Sequence, residues 1–162
     1  MRIQSISIIA GAFALLAMSN STRAASPDAC TLLTNADAAK ALEVPTVTTS
    51  YMVPGSTAGC FWSNDPKASD TSRKVGLNTH TPRAYQFAKQ PAITTIKVEA
   101  VPGVGDDAIY QIYPQGHPFI WVLKGQTAIS IRILTIDKPR PFTDAQEKAK
   151  LLVLAKAAVA KL

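Results

Sequence analysis

Histidine and cysteine are scarce in this chain of 162 residues, which contains two of each. Neither His80 nor His117 lies at metal-ligand spacing from a cysteine, so no zinc site is indicated. The G-x-S-x-G pattern of serine hydrolases is also absent, and we predict two surface histidines without a catalytic role. Glycosidase chemistry stays open, because any two of the 11 acidic residues could converge in the fold. We therefore expect a protein that is not an enzyme and has no catalytic residue, no metal and no cofactor.

Long hydrophobic runs are absent as well. The apolar run Ile6–Met18 follows a positively charged start and is too short to span a bilayer, which takes about 20 residues. With the small residues that follow it, this pattern predicts a secretory signal peptide over residues 1–24, cleaved after Ala24. An uncleaved membrane anchor and a lipoprotein are the alternatives, but Cys30 lacks the sequence context of lipid attachment. We expect one periplasmic or secreted domain over residues 25–162, without a stable membrane anchor after cleavage.

The sequence has no block of charge of either sign. Two of the 17 basic residues lie in the predicted signal peptide, which leaves 15 basic and 11 acidic residues beyond it. Nucleic-acid-binding proteins concentrate their basic residues on one face with aromatic residues between them, and this chain spreads them out. We expect no nucleic-acid partner and, at most, a weak attraction to anionic envelope polymers.

Only Cys30 and Cys60 are available for disulfide formation. Exported proteins meet an oxidising compartment, where two free thiols would be unusual, so we predict one disulfide between them. A metal site is the alternative use of the pair.

Residue alternation and helix signals predict the fold. Capping patterns at Thr34 and Thr143, and Pro82 after Thr81, indicate three helix starts. Stretches with alternating apolar residues predict strands near residues 47–53, 58–63, 73–80, 93–101, 108–113, 119–124 and 127–136. Because hairpins dominate this order, we expect an α+β domain with a mostly antiparallel sheet and helices packed on one face.

The stretch VPGVGDDAIY, residues 101–110, looks most like a functional motif. A dinucleotide-binding loop needs a third glycine before a helix, whereas Ala108 stands there and a strand follows. Adjacent acids do not match a calcium loop, whose ligands alternate. We predict a structural turn formed by Gly103, Gly105, Asp106 and Asp107. A ligand loop and a metal loop are the alternatives.

Three segments together resemble a loose group of small exported bacterial domains. They are residues 29–34 (ACTLLT), 59–62 (GCFW) and 104–108 (VGDDA). The group includes actinobacterial lipoproteins of unknown function and the extracellular sensor domains of some mycobacterial kinases. The resemblance implies paired cysteines and a hairpin that ends in a Lys-Gly turn, here at Lys124 and Gly125. This chain departs from the pattern because it lacks the lipid-attachment cysteine.

Polar and aromatic residues on the open side of the sheet are the best candidates for binding. Binding patches favour tyrosine, tryptophan and arginine. The candidate surface consists of Tyr51, Lys74, Asn78, Tyr113 and Arg132. We therefore expect a non-enzymatic binding or sensing domain of the cell envelope, with an unknown protein or envelope component as its partner. A periplasmic inhibitor or immunity protein, and a small envelope hydrolase, are the alternatives.

Overall fold

The computed structural model describes residues 26–67, 72–114, 118–135 and 139–162. The predicted signal peptide and its cleavage site lie outside the described residues, and so does His117. Within those four ranges, no helix combines the length and the apolar composition that crossing a membrane requires.

The helices begin where the sequence places capping residues. A 3-10 helix spans Ala29–Thr31, α1 spans Asn35–Leu42, α2 spans Pro82–Lys89 and α3 spans Asp144–Val159. At α1 the hydroxyl of Thr34 accepts from the N–H of Asp37, whose carboxylate accepts from the N–H of Thr34. Thr143 and Gln146 form the same reciprocal pair at α3. These boxes satisfy backbone N–H groups that a helix start otherwise leaves without partners.

Seven strands form one antiparallel sheet. They are β1 (Thr48–Tyr51), β2 (Gly59–Ser63), β3 (Lys74–His80), β4 (Lys97–Ala100), β5 (Asp107–Ile112), β6 (Phe119–Lys124) and β7 (Thr127–Leu134). Their order across the sheet is β1-β2-β3-β7-β6-β5-β4, and every neighbouring pair is antiparallel. Two meanders, β1 to β3 and β4 to β7, therefore meet where β3 pairs with β7.

The larger hydrophobic core lies on the first face of the sheet, under α1 and α3. Ile131 of β7 pairs with Leu77 of β3 on one side and with Ile120 of β6 on the other, and all three are fully buried. Full burial of such a side chain stabilises the fold by about 1.5–3 kcal/mol. The same core contains Leu32, Leu42, Cys60, Trp62, Val75, Val122, Ile129, Ile133, Leu151 and Leu154.

A smaller core lies on the second face, under α2. Tyr85 and Ala88 of α2 pack with Ile109 and Ala128, which alternate with the residues of the first face. The predicted α+β class, the antiparallel sheet and the single disulfide are confirmed. We expected all helices to pack on one face of the sheet. The structure differs in one element, because α2 packs on the second face. The connection from β3 to β4 must pass over β7, β6 and β5, and α1 and α3 already occupy the first face.

Cys30 and Cys60 form the predicted disulfide, with Cα atoms 5.1 Å apart. The bond joins the 3-10 helix to β2 beneath the first face, and Cys60 is fully buried. It closes a loop with a sequence separation of 30 residues, so it restricts the unfolded chain between the first helical segments and the sheet.

Candidate binding surface

Gly103 and Gly105 shape the loop that leads from β4 into β5. Both have positive φ, +75° and +61°. A Cβ atom on Gly105 would lie 2.5 Å from the carbonyl oxygen of Leu123 and 2.6 Å from Cγ1 of Val122. Gly105 therefore needs both the left-handed backbone region and the space that a hydrogen atom leaves. Only glycine meets both requirements without strain.

The two aspartates of this loop bind partners within the fold. The carboxylate of Asp106 accepts from Nζ of Lys124 at 3.0 Å and from the N–H of Gly125 at 2.6 Å. Asp107 accepts from Nζ of Lys89 on α2 at 2.5 Å. These bonds lower the pKa of both aspartates. Across the described residues, no group of three or more acidic, histidine or cysteine side chains could hold a metal ion.

The five candidate surface residues do not share one face. Lys74, Asn78 and Arg132 point to the second face, since their partners in the sheet are Leu134, Ser130 and Gly76. Tyr113 follows β5 in the same alternation as Gln111, which pairs with Phe119 on the second face. Tyr51 pairs with the buried Cys60 and so belongs to the first face.

Tyr51 is therefore separate from the other four candidates, which corrects the sequence-based grouping. Its hydroxyl donates to Oδ2 of Asp28 at 2.7 Å, beside the disulfide. The same carboxylate accepts from the N–H of Cys30 through its other oxygen. Tyr51 thus fastens the start of the described chain to edge strand β1, although 45% of the residue stays exposed.

One half of the second face carries no helix among the described residues. Helix α2 covers the end of the sheet with Ile109 and Ala128, while the opposite end carries aromatic and basic side chains. We call this end the open half-face and define it by Phe61, Lys74, Tyr113, Phe119 and Arg132. Both of its cations lie over aromatic rings: Lys74 over Phe61 at 5.6 Å and Arg132 over Phe119 at 5.3 Å. Such pairs contribute about 0.5–1 kcal/mol at exposed sites and more when desolvated.

Arg132 has no anionic partner in the described chain. Its guanidinium makes no hydrogen bond or ion pair there, and its Nε atom is buried without a partner. Desolvation lowers the pKa of Arg132. Lys74 differs, because it is only 9% exposed and makes further interactions. Arg132 therefore stands on the open half-face as a partly desolvated cation to which no described residue supplies a counterion.

Gln111 connects the open half-face to α2. No sequence signal indicated this role of Gln111. Its Oε1 accepts from Nε1 of Trp121 at 3.1 Å and from the hydroxyl of Tyr113 at 3.2 Å, and its Nε2 donates to the carbonyl of Ala88 at 3.3 Å. Gln111 itself is 5% exposed. The Tyr113 ring also contacts the Phe119 ring, with centroids 5.6 Å apart. These contacts position Tyr113, and through it the ring pair with Phe119, on the open half-face.

His80 is half-buried beside α2, which differs from the surface position expected from its sequence. Its Nε2 lies 2.9 Å from Oγ of Ser130, and its ring packs against that of Trp121, with centroids 4.6 Å apart and the planes tilted by 30°. Ser130 is 3% exposed in the middle of β7, so a substrate carbonyl has no path to its hydroxyl. No carboxylate of the described chain hydrogen-bonds His80. This pair therefore lacks the exposed nucleophile and the orienting acid of a hydrolase triad.

A cavity of about 240 Å³ adjoins the open half-face between β5 and α3. It is lined by Ile112, Tyr113, Pro114, Pro118, Arg140, Asp144 and Lys148. Its charged groups are paired: Arg140 with Asp144 at 3.0 Å, and Lys148 with Glu99 at 2.6 Å. Arg140 also binds the carboxylate of Glu147, which is 1% exposed. The cavity therefore presents little uncompensated charge, in contrast to Arg132.

No protein-family model, no curated protein and no solved structure matches this chain. The resemblance to small exported bacterial domains stays an expectation.

Proposed function

We propose that this chain is an exported, non-enzymatic binding domain of the bacterial cell envelope, and that the open half-face is its binding surface. One observation carries the proposal: Arg132 is partly desolvated, lies over the ring of Phe119 and has no counterion in the described chain. Buried polar groups without partners are rare in folded proteins, and each one calls for an explanation such as a bound group. The disulfide supports export, because such bonds persist in oxidising compartments.

The residue types around Arg132 favour recognition of a protein. Arginine and tyrosine are enriched among the residues that dominate binding energies, particularly where neighbouring groups exclude water. Gln111 and Phe119 hold Tyr113 before any ligand arrives, which reduces the entropy lost on binding. A periplasmic inhibitor or immunity protein would use such a surface to block an enzyme, and it falls within this proposal.

The test compares capture by variants of the mature domain. Purified residues 25–162 are immobilised and exposed to envelope extract, with Tyr113→Ser/Arg132→Gln as the surface variant. Phe87→Ser is the matched control, because Phe87 is an exposed aromatic residue on α2, 64% exposed and outside the open half-face. We expect one partner that the wild type and the control retain and the surface variant loses. Titration of the purified partner into each protein should give similar affinities for the wild type and Phe87→Ser and a weaker affinity for the surface variant.

The hydrolase alternative is tested in parallel. The wild-type domain is incubated with peptidoglycan and with ester substrates, and Ser130→Ala serves as the comparison because Ser130 contacts His80. We expect no turnover by either protein. Hydrolysis by the wild type that disappears in Ser130→Ala would overturn the non-enzymatic proposal.

A further inference from the structure

Arg132 differs from the other arginines with described contacts in how its charge is compensated. Arg83 lies over Phe87 at 5.5 Å on an exposed stretch of α2, where water solvates it. Arg140 binds the carboxylates of Asp144 and Glu147. Arg132 has neither compensation, because it is half-buried and makes no ion pair within the described chain. Burying a charge is costly unless the charge is paired, and the described residues leave the charge of Arg132 on the open half-face uncompensated.

The guanidinium fork determines which anion fits. Arginine binds carboxylates and phosphates through two parallel N–H bonds, and it does so well while stacked on an aromatic ring. A phosphate-rich polymer needs several accessible cations in series to gain affinity from released counterions. Among the described residues that define the open half-face, the only other cation is Lys74, which is 9% exposed and already has other contacts. A single compact anion therefore fits better than a polyanion.

The surroundings of the guanidinium determine what should carry that anion. Phe119 lies beneath Arg132, the ring of Tyr113 lies beside Phe119, and Tyr113 is 36% exposed. These rings offer apolar contact area next to the charge. An apolar residue beside the anion would cover the rings and exclude water, which strengthens the ion pair.

We infer that Arg132 is the anchor for an acidic side chain of a protein partner, with an aromatic or aliphatic residue adjacent to it in the partner's sequence. This inference rests on the proposed binding function and specifies its ligand chemistry. The carboxylate pairs with the Nη atoms of Arg132, while the adjacent apolar side chain packs on Phe119 and Tyr113.

The experiment uses a capped pentapeptide with a central glutamate between two phenylalanines, and a glutamine counterpart as its neutral control. Each is titrated into the isotope-labelled mature domain up to about 10 mM, a range that reveals weak binding. We expect saturable shifts of the Arg132 side chain and the Phe119 amide with the glutamate peptide. We expect the glutamine peptide to bind at least about tenfold more weakly, because only the carboxylate pairs with the guanidinium.

Two protein variants locate the effect. Arg132→Gln should weaken the glutamate peptide at least about tenfold, and Arg83→Gln should change its affinity by less than about twofold, because Arg83 is exposed on α2. Amide spectra that match the wild type outside the substituted site establish that each variant folds. Equal binding of the two peptides, equal losses in the two variants, or no shifts at all would overturn the inference.

Polyphosphate is the third ligand in the same titration. Tighter binding of polyphosphate than of the glutamate peptide, with a steep loss of affinity in salt, would also overturn the inference and would point to an anionic polymer. The proposed function is judged separately by capture from extract. A partner lost with Tyr113→Ser alone but retained with Arg132→Gln alone would preserve the binding function and reject the acidic anchor.

Discussion

The carboxylate of Asp106 accepts a 2.6 Å hydrogen bond from the backbone N–H of Gly125, which stands 19 residues further along the chain. The same carboxylate binds Nζ of Lys124, and the N–H of Asp106 donates to the carbonyl of Leu123. The loop before β5 and the turn between β6 and β7 are therefore joined by three bonds through one residue. This arrangement gives the aspartates of the loop a role within the fold.

The Asp106 bonds predict how its substitutions will behave. Asp106→Asn keeps an oxygen that can accept from Gly125, so we expect the urea midpoint to change little. Asp106→Ala removes the acceptor from both Gly125 and Lys124, and we expect a clearly lower midpoint.

Melting temperatures of the wild type, measured with calcium, with phosphate and with chelator, should not differ from one another. A rise with calcium that is lost in Asp107→Asn would show that the loop binds metal.

Gly105→Ala should destabilise the domain more than Gly103→Ala. Both positions have positive φ, which costs an alanine about 1 kcal/mol or more. At Gly105 the new Cβ would also meet the Leu123 carbonyl at 2.5 Å, whereas at Gly103 nothing lies within 4 Å. Urea unfolding of the two variants measures the difference. Equal losses would show that the backbone conformation alone decides the cost.

The stability of the domain should fall as the pH drops below the ordinary histidine value of 6.5. Burial against Trp121 and Ser130 lowers the pKa of His80 in the folded state. The unfolded chain therefore binds the proton first, which favours unfolding between pH 6.5 and the lower folded pKa. His80→Gln should flatten this part of the pH profile of unfolding free energy. If the wild-type profile is as flat as that of His80→Gln over this pH range, protonation of His80 does not destabilise the folded domain.

Cys60→Ser should lower the free energy of unfolding by about 2–5 kcal/mol, as loss of a native disulfide does in small secreted domains. Reduction of the wild type should have a similar effect, because both treatments release the loop between residues 30 and 60. The Cys30→Ser/Cys60→Ser variant controls for the free thiol. Non-reducing peptide mapping that finds two alkylatable thiols in exported protein would exclude the bond in the cell.

Export with cleavage after Ala24 stays a sequence-based prediction. Intact-mass measurement of protein from the periplasm should give a chain that begins at Ala25. A membrane-bound product that retains Met1 would show an uncleaved anchor instead.

Local sequence patterns determined most of the secondary structure. The capping pairs Thr34/Asp37 and Thr143/Gln146 predicted two helix starts, because their side chains bond within one turn. Alternation predicted the strand that contains β7, and its alternate residues Ile129, Ile131 and Ile133 are buried in the larger core. The disulfide followed from composition and the expected compartment. The helix starts and the strand alternation depend on residues that are close in sequence. The disulfide could join only the two cysteines that the chain contains.

Only the tertiary structure decided what lies together on the second face. The pairing of β3 with β7 brings Lys74 and Arg132 to one end of the sheet, and the strand order carries α2 over the other end. The same register separates Tyr51 from the other candidates. Whether a described residue supplies a counterion to Arg132 depends on every side chain within reach, many of which are distant in sequence. Alternation reveals which way a side chain points, but long-range strand pairing decides which residues it meets.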